Sequence, residues 1–399
     1  MKNRLWKNKI TYVIIAVLLL VSLSFTACSY GLYDFITDNI SAIDETSTDD
    51  EGNVVEMEVS DDSEETESVE IQVSEAVEDS NENPEDESQN EGTASEEPAA
   101  DDNINKMTED GKIIVDLIFF MGQSNMAGAG GNVDYAPKVL EEAGYEFRAV
   151  SDPTKLYPIT EPFGINENNL NAIYDVPGAK RGSLVSAFTN KYYELTGIPI
   201  VAVSASAGAT DTDFWMSAPV AADYTERMKR AIVWLEASGY SIRHKYVIWL
   251  QGESDAIVNI SSEEYETNMD VIIRPMFIDG LEKVFYITPG RTVTRKDYFE
   301  NIISAQIKMS RESGYYALGT TMLSGVSTEY MVDEWHYNQK VLNLVGEECA
   351  KSVAYYTNNG KECCLYDYRH NETFVPSGDG VEASEVTPID FSKIDLKIE

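Results

Sequence analysis

Residues 113–128 read IIVDLIFFMGQSNMAG. From Ile113 to Met121 every position but Asp116 is apolar, and Gly122 ends the run. A segment this short and this uniformly apolar fits a strand buried on both faces, because a strand with one wet face alternates. The residues that follow, Gly122-Gln123-Ser124-Asn125-Met126-Ala127-Gly128, set a serine at a strand-to-helix turn. A hydroxyl there stands clear of the sheet, and the flanking glycines let backbone approach a small molecule. Taken alone, Ser124 equally suits a helix N-cap.

Toward the C-terminus the pattern alternates between the two periods. Ser183 precedes Leu184, Val185, Phe188, Tyr192 and Leu195 at helical spacing, with Gly197 as the stop. Strands are predicted at 198–204, 245–250, 284–288 and 316–319, and further helices at about 224–237, 263–273, 301–312 and 338–355. Strands alternating with helices imply a parallel sheet covered on both sides. With the first strand this makes five, which suits an α/β three-layer sandwich of flavodoxin-like type. In that architecture ligands bind beyond the carboxyl ends of the strands.

Toward the N-terminus the composition changes. The chain of 399 residues carries 69 acidic and 30 basic side chains, a net charge of −39. Residues 44–102 hold 25 of the acids with no Lys, Arg, Phe, Trp or Tyr, so the other 340 residues carry only −14. Such a stretch cannot bury enough apolar surface to offset the entropy of ordering, and it reads as a solvated, self-repelling tether. The overall charge excludes nucleic acid as a partner. Ahead of the tether, Lys2, Arg4, Lys7 and Lys9 precede an apolar run from Ile10 to Phe25 and then Thr26-Ala27-Cys28. This layout resembles a bacterial lipoprotein signal, which implies cleavage before Cys28, lipidation of that cysteine and an extracytoplasmic, membrane-anchored protein. Phe25 departs from the usual leucine, so an uncleaved signal-anchor helix stays open. The expected organisation is a signal at 1–28, an acidic linker at 29–110, a catalytic domain at 111–375 and a tail at 376–399. Cys349, Cys363 and Cys364 are an odd set whose pairing spacing does not decide. Three histidines and no CxxC exclude a His-rich or Cys-paired metal centre, and no cofactor is expected.

Two more loops follow predicted strands and converge with Ser124 on one sheet edge. Residues 204–210 (SASAGAT) offer the Gly208 N–H, and residues 249–255 (WLQGESD) offer the Gln251 amide, toward charge developing on a carbonyl oxygen. Shortly before the last helix, Asp333-Glu334-Trp335-His336 places a carboxylate three residues ahead of an imidazole. The Asp can accept the Nδ1–H and leave Nε2 to take a proton from a serine. No Gly-x-Ser-x-Gly elbow occurs, which counts against an α/β-hydrolase.

GQSNMAG at 122–128, Gln251-Gly252-Glu253-Ser254-Asp255, and Asp333 with His336 together resemble the SGNH (GDSL-like) hydrolase superfamily, in its sialate O-acetylesterase and acetylxylan esterase branch. The resemblance spans roughly residues 112–358. It implies Ser124 as nucleophile, His336 as general base and Asp333 as its orienting partner. The oxyanion hole would be the Ser124 N–H, the Gly208 N–H and Gln251, and the chemistry would be removal of O-acetyl groups from carbohydrate without a metal. The superfamily's block-three Asn is absent here, and Ala209 stands where relatives often have a second glycine. Asn125 lies inside the motif as a supporting residue. Glu253 supports His336 or Gln251, or caps a turn, and Trp215 either stacks on a sugar or packs in the core. An esterase or lipase on non-sugar esters, and a catalytically silent carbohydrate-binding lipoprotein, are the rival readings.

Overall fold

The computed structural model describes residues 106–378 and 380–398. The expectations for the signal, Cys28 and nearly all of the acidic linker lie outside the described residues. Strand β1 (Ile113–Gly122) is the centre of the sheet. Its alternate side chains enter two cores, with Leu117, Phe119 and Met121 on one face and Ile118 and Phe120 on the other. Each fully buried side chain of this size contributes about 1.5–3 kcal/mol. The one polar interruption, Asp116, is wholly buried, and accepts hydrogen bonds from Tyr192 Oη (2.7 Å) and Arg243 Nε (2.9 Å).

The remaining strands are β2 (Gly144–Phe147), β3 (Leu156–Pro158), β4 (Ile200–Ser206), β5 (Tyr240–Leu250), β6 (Lys283–Ile287) and β7 (Tyr316–Thr320), in the order β3-β2-β4-β1-β5-β6-β7. All neighbours run parallel except β2 and β3. The sheet therefore has seven strands and not five. The five expected from sequence stand in the flavodoxin-like order 2-1-3-4-5, and the two extra ones extend the β4 edge. A separate hairpin, β8 (Leu365–Asp367) with β9 (Glu372–Phe374), follows the last helix.

The helices are α1 (Ser124–Ala127), α2 (Val185–Thr196), α3 (Thr212–Met216), α4 (Ala218–Ala237), α5 (Glu253–Val258), α6 (Ser262–Ile278), α7 (Glu300–Glu312) and α8 (Gln339–Asn359). Side chains of α2 and α8 fill the core on one face of the sheet, and those of α4, α6 and α7 the core on the other, which completes the three layers. Gly197 ends α2 in the left-handed conformation, as its position predicts. The C-terminal residues lie on the α2/α8 side: Leu396 is buried in that core, with Ile389, Phe391 and Ile394 packed against the same core. Cys349 is buried and Cys363 and Cys364 are half-buried, all three as free thiols.

Candidate active site

The register of the sheet explains why distant loops meet. Gly122 pairs with Ser206 on one side and Leu250 on the other, so β1, β4 and β5 end at the same level. Backbone bonds continue the match one residue further, from Gln123 N–H to Leu250 O and from Ala207 N–H to Gly122 O, both 3.0 Å. At Gly122 the chain turns out of the sheet with φ 141°, and a Cβ there would lie 2.0 Å from Leu250 O. Only glycine accommodates that turn.

Ser124 is the first residue of α1 and is half-buried. Among the described residues neither its Oγ nor its N–H has a hydrogen-bond partner. Gly208 lies beside it: a methyl group built on Gly208 would be 3.6 Å from Ser124 Cβ. Ala209, next along, sits in the left-handed region at φ 56°, a conformation costing roughly 1–2 kcal/mol outside glycine.

The Asp333–His336 turn has the expected form. Asp333 Oδ2 accepts from His336 Nδ1 at 2.8 Å, while Oδ1 accepts the N–H groups of Trp335 (2.8 Å) and His336 (2.9 Å). Partial burial alone would raise this carboxyl. The bonds from the imidazole and the two N–H groups outweigh it and hold the group below its ordinary 3.8.

Asn125 joins the two halves of the site. Its Nδ2 donates to Trp335 O (3.2 Å) and its Oδ1 accepts from Tyr337 N–H (3.3 Å), so the residue after the serine grips the backbone on both sides of His336. The same Nδ2 donates to Glu253 Oε1 (2.8 Å). Glu253 is buried, its Oε2 has no partner among the described residues, and burial raises its pKa against the pull of Asn125 and the charge of His336. Gly130 closes the contact from the other side, since a Cβ there would lie 2.8 Å from His336 Cβ. No direct hydrogen bond links Ser124 Oγ to His336 among the described residues. Catalytic pairs of this kind often tighten only around substrate.

Two expected site residues are placed elsewhere. Gln251 is completely buried, with its Nε2 hydrogens donated to Thr210 O (2.9 Å) and Asp255 Oδ2, and its Oε1 accepting from Tyr265 Oη (3.2 Å). No amide hydrogen is left for an oxyanion, so Gln251 stitches the β4 and β5 loops together instead. Trp215 is likewise buried, packed against Trp249 and Tyr224 with its Nε1 donating to Thr210 Oγ1 (3.1 Å), and no sugar can stack on it. Its spacing from Gly208 gave no signal of burial. Gln123 has a bonding role that its place in the motif does not reveal. Its Oε1 accepts from Ser254 N–H (3.2 Å) and Gly252 N–H (3.4 Å) at the start of α5, fixing the β1 loop to the β5 loop.

The model of the family described as SASA, "Carbohydrate esterase, sialic acid-specific acetylesterase", matches residues 115–355. No curated protein matches the chain. Similar solved structures include a protein from Arabidopsis thaliana, with 19% identity over 61% of this chain and 98% of that one and a TM-score of 0.43. NanS shares 12% identity over 61% and 98%, TM-score 0.44. A carbohydrate acetylesterase from Xanthomonas citri shares 15% over 63% and 58%, TM-score 0.39.

Proposed function

The chain belongs to the SASA family of carbohydrate esterases, the sialic acid-specific acetylesterases, and on that premise we propose that Ser124, His336 and Asp333 deacetylate carbohydrate through an acetyl-enzyme. As a member, it is a carboxylic ester hydrolase acting on acetylated carbohydrate. The observation that carries the assignment of residues is the Asn125 grip, which ties the backbone around His336 to the residue next to Ser124.

Ser124 Oγ attacks the acetyl carbonyl as His336 Nε2 takes its proton, with Asp333 holding Nδ1–H and stabilising the imidazolium. The tetrahedral oxyanion faces the Ser124 and Gly208 N–H groups. Its collapse expels the sugar oxygen, which takes the proton from His336. Water, deprotonated by the same imidazole, then attacks the acetyl ester and releases acetate and Ser124. Glu253, behind Asn125, adds negative potential at His336 when it is ionised.

Ser124→Ala should abolish release of 4-nitrophenol from its acetate while leaving the thermal melt unchanged, and a fluorophosphonate should label the wild type at Ser124 only. Turnover retained in that variant would remove Ser124 from the mechanism. The fluorophosphonate also separates the silent-lipoprotein reading, which predicts no labelling. Acetate release from a panel of acetylated glycans, set against simple alkyl acetates, decides sugar against non-sugar substrates. We further propose that the domain works outside the cytoplasm on a lipid anchor at Cys28, supported by the basic, apolar and small-residue order of residues 1–28. Labelled palmitate should be incorporated in cells, and Cys28→Ala should release the protein from the membrane.

A further inference from the structure

The segment from Gly164 to Gly182 carries a carboxylate that the mechanism leaves unused. It runs past the ends of β4 and α1: Lys180 Nζ donates to Ser206 Oγ (2.9 Å) and Ser206 O (3.2 Å), and the Arg181 N–H to Gly128 O (3.2 Å). Within it, Asp175 is fixed by a reciprocal pair with Asn168, which accepts the Asp175 N–H (3.0 Å) and donates to its C=O (2.9 Å). Its side chain is buried, only 6% exposed, and Oδ2 has no partner among the described residues. The methyl position at Gly208 that lies 3.6 Å from Ser124 Cβ also lies 3.4 Å from Asp175 Oδ1 and 4.0 Å from Oδ2. Nucleophile and carboxylate thus line the same notch.

A buried carboxylate oxygen without a donor is expensive, roughly 1–3 kcal/mol or more. Burial raises this carboxyl, while the Lys180 ammonium and the N–H groups of Gly208 and Val176 oppose the rise. The notch shared with the nucleophile, which Oδ1 borders, is where water or a bound substrate can supply further donors. A carbohydrate ester brings hydroxyls next to the acetylated oxygen. We infer that Asp175 determines specificity for polyhydroxylated substrates: its Oδ1, the carboxylate oxygen nearer the Gly208 notch, accepts a hydrogen bond from a sugar hydroxyl adjacent to the ester. The inference rests on Ser124 being the nucleophile.

Asp175→Ala should lower the ratio of kcat/KM for a monoacetylated methyl glycoside to that for 4-nitrophenyl acetate by about 10- to 100-fold, the worth of a hydrogen bond to a charged group. For the wild type, monoacetates lacking one vicinal hydroxyl at a time should include one whose kcat/KM falls by a similar factor, and Asp175→Ala should be indifferent to that deletion. A ratio within threefold of wild type overturns the inference. If the variant does not fold, as read from its thermal melt, the wild-type deoxy series decides alone: no deoxy substrate losing tenfold overturns it. Turnover by Ser124→Ala would instead sink the placement of the nucleophile, which keeps the two failures apart.

Discussion

At the scale of single residues, the site is distinguished by which carboxylates surround one imidazole and how each is solvated. Asp333 is held low by three hydrogen bonds, whereas Glu253 is pushed up by burial. Asp333→Asn should cut kcat by about 10²- to 10⁴-fold with little change in KM, since it removes the orienting acceptor and not a binding contact. A loss under threefold would transfer the orienting role to Glu253. Glu253 has a stability signature of its own. Its folded-state pKa lies above the ordinary 4.5, so the native state holds this proton more tightly than the unfolded chain does. That contribution is complete below pH 4.5 and is lost as pH rises through the raised value. Glu253→Gln never ionises, so its melting temperature relative to wild type should climb between pH 4.5 and 8. A constant difference across that range would contradict the burial argument. At this scale the sequence was legible for the placement of Ser124 and Asn125 on the strand-to-helix turn and for the Asp333–His336 pair, which follow from local geometry. It misled at Gln251 and Trp215, because spacing from a motif does not reveal that a polar or aromatic side chain is sealed inside.

Among elements, the strand ends do the positioning. Gly122→Ala would force a Cβ into Leu250 O at a backbone angle hostile to alanine, and should cost more than about 3 kcal/mol in urea unfolding. Near-wild-type stability would mean that the turn can relax. The turn itself recurs: Asp367 Oδ2 accepts from His370 Nδ1 at 2.7 Å and its Oδ1 from the Arg369 N–H at 2.8 Å, repeating the Asp333–His336 pattern. Arg369 and His370 of that second turn pair with Glu300, and among the described residues no serine or asparagine side chain grips it. The apolar strands and most helices were readable because their periods differ. Strands β2 and β3, at four and three residues, are too short to show a period, and α4 begins before its predicted start because Pro219 in its first turn reads as a loop breaker. Strand β5 starts among polar residues of intermediate exposure, where alternation fades.

For the described domain as a whole, the folded part reaches beyond both expected limits. On the N-terminal side Met107 bridges to Ile113, and on the C-terminal side Leu396 enters the core. Deleting residues 388–399 should cost at least about 2 kcal/mol, from burial of Leu396 alone, and chemical denaturation would show it. A truncation without effect would make the tail a bystander. The same tail also reaches the proposed site at one remove. Asn338 caps α8 by accepting the Val341 N–H, and its Nδ2 donates to Leu396 O. Asn338 is two positions from His336. Force transmitted through the last residues thus reaches the backbone two positions from the proposed base, so an affinity tag, surface linkage or fused cargo at that terminus would load the stretch that carries the imidazole.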